Sequence, residues 1–140
     1  MASIEVRVVS AERELFTGQA SMVLAPAAMG EVGIKPRHAP RMTLLTPGEV
    51  RVTGDDGSEE AFYVAGGLME VQPHLITVMS DTVVRAHDLD ESAALEAKQR
   101  AEQHMQDRSG DFDYARAQAE LAEAVAQLQT IQRMRRRAGR

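Results

Sequence analysis

The placement of Gly and Pro constrains the fold of this chain more than any other feature. Eight of the ten Gly and all five Pro lie at or before Pro73, whereas the segment from His87 onward is rich in Ala and contains only Gly110 and Gly139. Turns need Gly and Pro, and long helices exclude them. The sequence therefore predicts a β domain over residues 1–86, followed by a helical domain over residues 87–140.

Composition excludes several classes of site. With 140 residues, the chain suits one modest core and a helical appendage. It has no Cys, which excludes disulfides, thiolate metal sites and cysteine nucleophiles. No apolar run approaches the roughly 18 residues needed to cross a bilayer, and residues 1–20 lack the pattern of a signal peptide. These features predict a cytosolic location.

The first 86 residues contain many short β segments. Alternating Ile4, Val6 and Val8 predict a half-buried opening strand. Thr46-Pro47-Gly48 is expected to reverse the chain, and Gly66-Gly67 to separate two later strands. The other predicted segments lie at 21–25, 32–34, 42–45, 50–52, 61–65, 68–72, 75–80 and 82–85. Brief strands at this spacing favour a sandwich or a flattened barrel.

The C-terminal part predicts two helices. Asp88 is the expected N-cap of the first, with Glu91 at the reciprocal capping-box position. Gly110 is the expected stop before a second helix begins at Asp111. Each helix has one predicted apolar face. On the first helix it consists of Leu89, Ala93, Ala97, Ala101 and Met105. On the second it consists of Ala117, Leu121, Ala124, Leu128 and Ile131. A short link between such helices predicts an antiparallel hairpin.

Two features of the hairpin leave alternatives open. Ala-rich faces bury little surface, which suits either helices that undock without melting or a permanently packed pair. Residues 124–140 carry five Arg and no acid, four of them at Arg133, Arg135, Arg136 and Arg137 and the fifth at Arg140. This basic tip either complements the helix dipole or meets an acidic partner.

No catalytic or metal motif is present. Gly30 to Lys35 lacks the spacing and the hydroxyl residue of a phosphate-binding loop. The four His are too far apart for a metal site, so no metal is expected. Residues 30–40 contain two Gly and two Pro, which predicts a stiff, preformed loop that presents a side chain to a partner, or alternatively a plain corner of the barrel.

Four sequence blocks carry a family resemblance. They are Val8-Val9-Ser10-Ala11-Glu12 with Phe16-Thr17-Gly18, the run from Gly30 to Pro40, Gly66-Gly67-Leu68-Met69-Glu70-Val71 with the stretch from Met79 to Arg85, and the run from Asp113 to Ala122. On these blocks the chain resembles the epsilon subunits of bacterial and chloroplast F-type ATP synthases.

The resemblance implies a flattened ten-stranded β-sandwich, a two-helix domain and a non-catalytic part of the central rotor. The sandwich would bind the gamma subunit, and Glu31, Val32, Gly33, Ile34 and His38 would face the c-ring. The helices would either lie folded beside the sandwich or extend along gamma to the alpha and beta subunits. In the extended form Arg133, Arg135, Arg136 and Arg137 would meet an acidic segment of beta and block ATP hydrolysis. The expected location is peripheral, on the cytoplasmic side of a bacterial plasma membrane, with membrane contact only through the c-ring.

One departure from the family pattern concerns nucleotide binding. Some members bind ATP through an I/L-D-x-x-R-A signature, which here corresponds to Leu89, Asp90, Ala93 and Ala94, with Ala93 in place of Arg. Without the guanidinium a charge-assisted contact is lost. We therefore expect weak or no ATP binding and no cofactor.

Two other classes of protein, a nucleic-acid-binding barrel and a small-molecule enzyme, fit the sequence less well. A small nucleic-acid-binding β-barrel with a basic C-terminal tail would need a basic face with aromatic platforms, whereas residues 1–86 carry eleven acids and seven bases. We therefore expect no nucleic-acid partner. A small-molecule enzyme would need a convergent nucleophile, base and oxyanion donors, and the sequence offers none.

Overall fold

The computed structural model describes residues 2–107 and 111–139. The chain divides into two compact units, Met1–Arg85 and Ala86–Arg140. The first contains seven strands: β1 (Ile4–Ser10), β2 (Glu14–Ala27), β3 (Gly30–Ile34), β4 (Arg41–Gly54), β5 (Glu59–Gln72), β6 (Leu75–Ser80) and β7 (Val83–Arg85). The second contains a short 3-10 turn (Ala86–Asp88) and two helices, α1 (Glu91–Asp107) and α2 (Asp111–Ala138).

The strands form a flattened barrel. Five of them follow the order β1-β6-β5-β4-β2, and β1 also pairs with β2, which closes the ring. β3 is added to β2, and β7 is added to β5. Every pairing is antiparallel except that of β1 with β6. The predicted sandwich or barrel followed by a two-helix hairpin is confirmed.

The barrel core is aliphatic, as the composition indicates. Ile4, Val6 and Val8 of β1 all point inward and are at most 1% exposed, which confirms the predicted alternation. Phe62 is the largest side chain of this core cluster, and its ring lies 5.7 Å from that of Phe16, centroid to centroid. Arg85 covers the Phe62 ring with its guanidinium at 5.3 Å, a cation–π contact at the end of the unit.

The number of strands differs from the expectation because long strands continue through predicted turns. β4 runs unbroken through Thr46-Pro47-Gly48, with Leu45 opposite Gly67 and Pro47 opposite Ala65 of β5, so the predicted reversal is wrong. Pro47 lies where the β2–β4 register shifts, and a residue without an amide hydrogen is tolerated at such an irregularity.

Gly66 and Gly67 likewise lie inside a strand. Their φ angles are 104° and 121°, a conformation that favours Gly, and a Cβ on Gly67 would lie 2.1 Å from the Met79 carbonyl oxygen. The two glycines therefore allow β5 to pass close to the backbone of β6. Because β2, β4 and β5 each span 14 residues, the described chain has seven strands and not the ten that the resemblance implied.

The helical unit corrects two details of the prediction. Asp90 caps α1: its carboxylate accepts from the Ala93 amide at 3.2 Å, so Asp88 is not the N-cap. The buried positions of α1 are Ala94 and Ala101, at 1% and 0% exposure, whereas Ala93 is exposed. The cap lies two residues further along the chain than expected, and the buried face includes Ala94.

The second helix agrees with its predicted face. Ala117, Ala124 and Ile131 are buried and Leu121 and Leu128 are half-buried. Ala126, next to this face, is also buried. Its carbonyl accepts from the buried Thr130 hydroxyl at 2.8 Å. The predicted stop at Gly110 lies outside the described residues. Over the described part of the chain, neither helix combines the length and hydropathy needed to span a membrane.

Candidate functional site

A row of apolar side chains, three half-buried and one exposed, crosses the outer face of four strands. We call it the apolar row; its members are Val9 (β1), Met79 (β6), Leu68 (β5) and Leu44 (β4). The strand register places Val9 beside Met79, Met79 opposite Leu68, and Leu68 opposite Leu44. Leu44 is 74% exposed, and Met42 beside it on the same face is 65% exposed. A contiguous apolar surface of this kind marks an interaction site.

The apolar row lines an open groove of about 560 Å³. The remaining wall comes from the ends of β1 and β6 and from β5 around Gly66 and Gly67. Sequence reasoning missed this surface because it treated residues 42–45 only as a strand. The available signal was apolar side chains at both even and odd positions of Met42-Thr43-Leu44-Leu45, which in a strand places apolar groups on both faces.

The predicted c-ring contact segment begins as a strand and not as a rigid loop. Gly30–Ile34 forms β3, which pairs with β2 at the edge of the sheet. Glu31 and Gly33 are exposed and Val32 is half-buried against the core. Ile34 is 0% exposed, so its side chain belongs to the core and cannot face a partner. The hairpin that joins β2 to β3 also presents Met29, which is 99% exposed.

Two hydrogen bonds hold the turn after β3, one to a distant residue and one within the turn. Arg37 adopts a φ of 66°, and its amide donates to the Pro73 carbonyl at 3.2 Å. His38 is half-buried, and its Nδ1–H donates to the Ala39 carbonyl at 2.7 Å. His38 therefore has a role in the turn. Among the described residues, no group of three or more His, Cys, Asp or Glu is arranged to hold a metal ion.

Glu31 belongs to a charged cluster that the sequence did not predict. The Arg51 guanidinium on β4 lies between two carboxylates, with Nη2 3.7 Å from Glu31 Oε1 and Nε 3.5 Å from Glu49 Oε1. The side chain of Glu49 is 1% exposed, that of Arg51 24% and that of Glu31 44%. The exposed fraction of the side chains thus rises across the cluster from the buried Glu49 through Arg51 to Glu31.

The basic tip is partly engaged inside the helical hairpin. Arg135 forms an ion pair with Glu91 at the start of α1. Arg133 and Arg136 are exposed and Arg137 is half-buried. Arg140 lies outside the described residues.

The residues of the degraded ATP signature have structural roles here. Leu89 is half-buried and its amide donates to the Ala86 carbonyl at 3.2 Å. Asp90 is the helix cap and Ala94 is buried at 1% exposure. Ala93 is exposed and offers only a methyl group.

The acidic turn between β4 and β5 is organised by its own hydrogen bonds. Asp56 Oδ1 accepts from the Ser58 hydroxyl at 2.6 Å and from the Ser58 amide at 2.9 Å. These bonds favour the carboxylate and lower the pKa of Asp56 below its usual 3.8. The lowered pKa reflects the geometry of an exposed turn.

Two family models together match almost the whole chain. The model described as "ATP synthase, Delta/Epsilon chain, beta-sandwich domain" matches residues 3–86, and the model described as "ATP synthase, Delta/Epsilon chain, long alpha-helix domain" matches residues 87–132. The chain belongs to the ATP synthase delta/epsilon family.

Relatives in this family are similar over their full length. The chain is 62% identical over 137 residues to the ATP synthase epsilon chain of Nitrosococcus oceani, covering 98% of each. It is 57% identical over 141 residues to the ATP synthase epsilon chain of Halorhodospira halophila, covering 100% of each.

Two solved structures share the fold. A chain of the Euglena gracilis mitochondrial ATP synthase (OSCP/F1/c-ring) superimposes with a TM-score of 0.82 at 16% identity, covering 90% of this chain and 79% of that one. A chain of the Tetrahymena thermophila mitochondrial ATP synthase central stalk/c-ring gives a TM-score of 0.64 at 16% identity, covering 91% and 96%. At this identity the likeness concerns the fold alone.

Two candidate surfaces lie inside a matched family domain, and the third lies just beyond one. The apolar row and the Glu31–Arg51–Glu49 cluster lie within the delta/epsilon beta-sandwich match, which ends at residue 86. The basic tip begins at Arg133, directly after the long alpha-helix match ends at residue 132.

Proposed function

We propose that this chain is a non-catalytic epsilon subunit in the central stalk of a bacterial F-type ATP synthase, where it couples proton translocation to ATP synthesis. Support comes from full-length relatives that carry the name ATP synthase epsilon chain, at 62% and 57% identity. The described residues also offer no convergent catalytic group, in keeping with a role in assembly and rotation.

The β unit binds the gamma subunit through the apolar row. This surface carries the proposal, because Leu44 at 74% exposure lies within a contiguous apolar row on one face of the sheet. Water contact at such a surface is unfavourable, and burial by a partner relieves it. A nucleic-acid partner would need a basic face instead.

The β2–β3 hairpin contacts the c-ring through Glu31 and the surface around it. Glu31 is exposed at the sheet edge, and Gly33 beside it leaves the backbone accessible. The chain is peripheral, on the cytoplasmic side of the plasma membrane, and reaches the membrane only through the c-ring.

The helices regulate ATP hydrolysis by separating from each other and reaching the alpha and beta subunits. The buried positions Ala94, Ala101, Ala117 and Ala124 contribute well under half of the roughly 1.5–3 kcal/mol of a buried Leu, so the two helices separate at low cost. The basic tip, with Arg133 and Arg136 exposed, then meets an acidic segment of beta.

The free chain binds ATP weakly or not at all. Asp90 is occupied as the helix cap, and Ala93 supplies no cation for the phosphates. Calorimetric titration of the full chain with ATP tests this point, and micromolar affinity would contradict it.

The central experiment measures capture by purified gamma subunit and inhibition of ATP hydrolysis. The full chain and a truncated chain ending at Ala86 should both be captured, whereas only the full chain should inhibit hydrolysis in the reconstituted complex. A thermal melt establishes that the truncated chain is folded. Loss of capture on truncation would remove the gamma assignment from the β unit, and equal hydrolysis rates would remove the regulatory role.

A further inference from the structure

We infer that the buried Glu49 acts as a positioning residue for Arg51, and that Arg51 in turn holds Glu31 in a fixed orientation at the c-ring contact. The inference rests on the proposed function for its binding consequence, but the side-chain arrangement itself belongs to the free chain.

Glu31 alone has little to fix it. It lies on a five-residue edge strand, flanked by Gly30 with a φ of 120° and by Gly33 two residues later. Its backbone partner in β2 is Pro26. An exposed carboxylate at such an edge would sample several rotamers, and a partner that bound it would have to order it.

Arg51 reaches Glu31 across an intervening strand. Arg51 is opposite Leu24 of β2, and β2 in turn separates β4 from β3. Two different nitrogens of the planar guanidinium are used, Nε towards Glu49 at 3.5 Å and Nη2 towards Glu31 at 3.7 Å. Because the guanidinium is rigid, a restraint at Nε also orients Nη2.

Burial decides which of the two carboxylates anchors the cluster. An exposed ion pair contributes little, because two long side chains must be ordered to form it. Glu49 differs, since its side chain is 1% exposed and a buried carboxylate requires a compensating charge or hydrogen bonds. Arg51 is therefore ordered by Glu49 before any contact with Glu31, and Glu31 meets a guanidinium already in place.

The consequence is a pre-organised contact surface. Immobilising a side chain such as Glu costs binding free energy that corresponds to roughly a two- to tenfold loss of affinity. Glu49 removes part of that cost, although it lies too deep to touch a partner itself.

The first test concerns the full-length free chain. Glu49→Gln keeps the shape but removes the charge, and it should raise the mobility of the Arg51 Nε–H group, measured by ¹⁵N relaxation. The matched control is Glu5→Gln, because Glu5 and Arg7 form a similar pair two residues apart on β1 at 3.7 Å. It should leave Arg51 unchanged. An unaltered Arg51 signal in Glu49→Gln would overturn the positioning role.

The second test is a double-mutant cycle on c-ring binding. The full chain in complex with gamma is titrated onto purified c-rings in nanodiscs. Glu49→Gln should weaken binding by roughly two- to tenfold when Glu31 is present and have no effect in a Glu31→Gln background. Arg51→Met should behave in the same way, which guards against a folding defect peculiar to one variant.

The outcomes separate this inference from the proposed function. Equal weakening in both backgrounds would mean that Glu49 serves only fold stability, and no weakening would mean that it serves neither. If the wild-type complex binds no c-ring, the proposed contact is wrong and the binding consequence is wrong with it. The relaxation experiment then decides the side-chain arrangement by itself.

Discussion

Arg135, in the last turn of α2, forms an ion pair with Glu91, the first residue of α1. The pair joins the end of one helix to the start of its neighbour, as an antiparallel hairpin requires. Each charge also complements the dipole of its own helix, acid at the start and base at the end. One member of the basic tip is thus occupied within the hairpin itself.

Breaking this pair should loosen the first turn of α1. Because both side chains are partly exposed, Arg135→Ala should lower the opening free energy by only about 0.2–1 kcal/mol. Hydrogen exchange at the Ala93 and Ala94 amides measures the change. Arg136→Ala removes the same charge from the same turn and serves as the control. Equal effects of the two variants would assign the change to the dipole and not to the ion pair.

A charge within the apolar row should prevent docking. Leu44→Glu should weaken gamma binding about tenfold or more, since a buried Leu contributes roughly 1.5–3 kcal/mol and the carboxylate adds a desolvation cost. Surface plasmon resonance on immobilised gamma measures the affinity. Met29→Glu alters an even more exposed apolar residue outside the row and should leave the affinity unchanged. A normal affinity for Leu44→Glu would exclude the row as the gamma site.

The cap of α1 distinguishes two neighbouring acids. Asp90→Ala should cost about 1 kcal/mol of hairpin stability, because the Ala93 amide loses its acceptor. Asp88→Ala should change stability by less than about 0.5 kcal/mol, since Asp88 is exposed and contacts only the exposed His87 at 3.4 Å among the described ion pairs. Chemical denaturation followed by far-UV circular dichroism compares them. A larger loss for Asp88→Ala would restore Asp88 as the cap.

One buried hydroxyl should be dispensable. Within the described residues, Thr43 Oγ1 is buried without a hydrogen-bond partner, so Thr43→Val should raise the free energy of unfolding by about 1 kcal/mol. Ser80→Ala is the contrast: its hydroxyl donates to the Thr82 carbonyl at 3.0 Å, and its loss should cost about 1 kcal/mol. Urea titration of both variants tests the pair. Destabilisation by Thr43→Val would indicate that the hydroxyl has a partner in solution.

The sequence predicted those elements whose pattern is local. Ile4, Val6 and Val8 alternate within one strand, and Ala117, Ala124 and Ile131 recur within one helix, so no distant partner is needed to recognise either. Pro47 and Gly66 were misread as strand ends. Whether a strand can contain Pro or Gly at a given position depends on its register with the neighbouring strands, which a single segment does not reveal. Asp88 and Asp90 are both suitable caps, and only the backbone geometry distinguishes them.

The candidate site was predictable to the extent that it follows motifs. Glu31 came from a family block and the basic tip from a charge count. The apolar row and the contact of Arg51 with Glu31 bring together residues from different strands, and no local sequence pattern encodes those pairings. Ile34 shows the opposite error, since a residue inside a contact motif proves to be part of the core.

The unbroken ladder between β4 and β5 has a mechanical consequence. The two strands stay in one register from Arg41 opposite Val71 to Thr53 opposite Glu59, past Pro47 and Gly66. A load applied along these strands strains all the rungs together in shear instead of peeling them one by one. A rotor subunit that transmits torque benefits from such stiffness, because it can rotate with the central stalk without deforming.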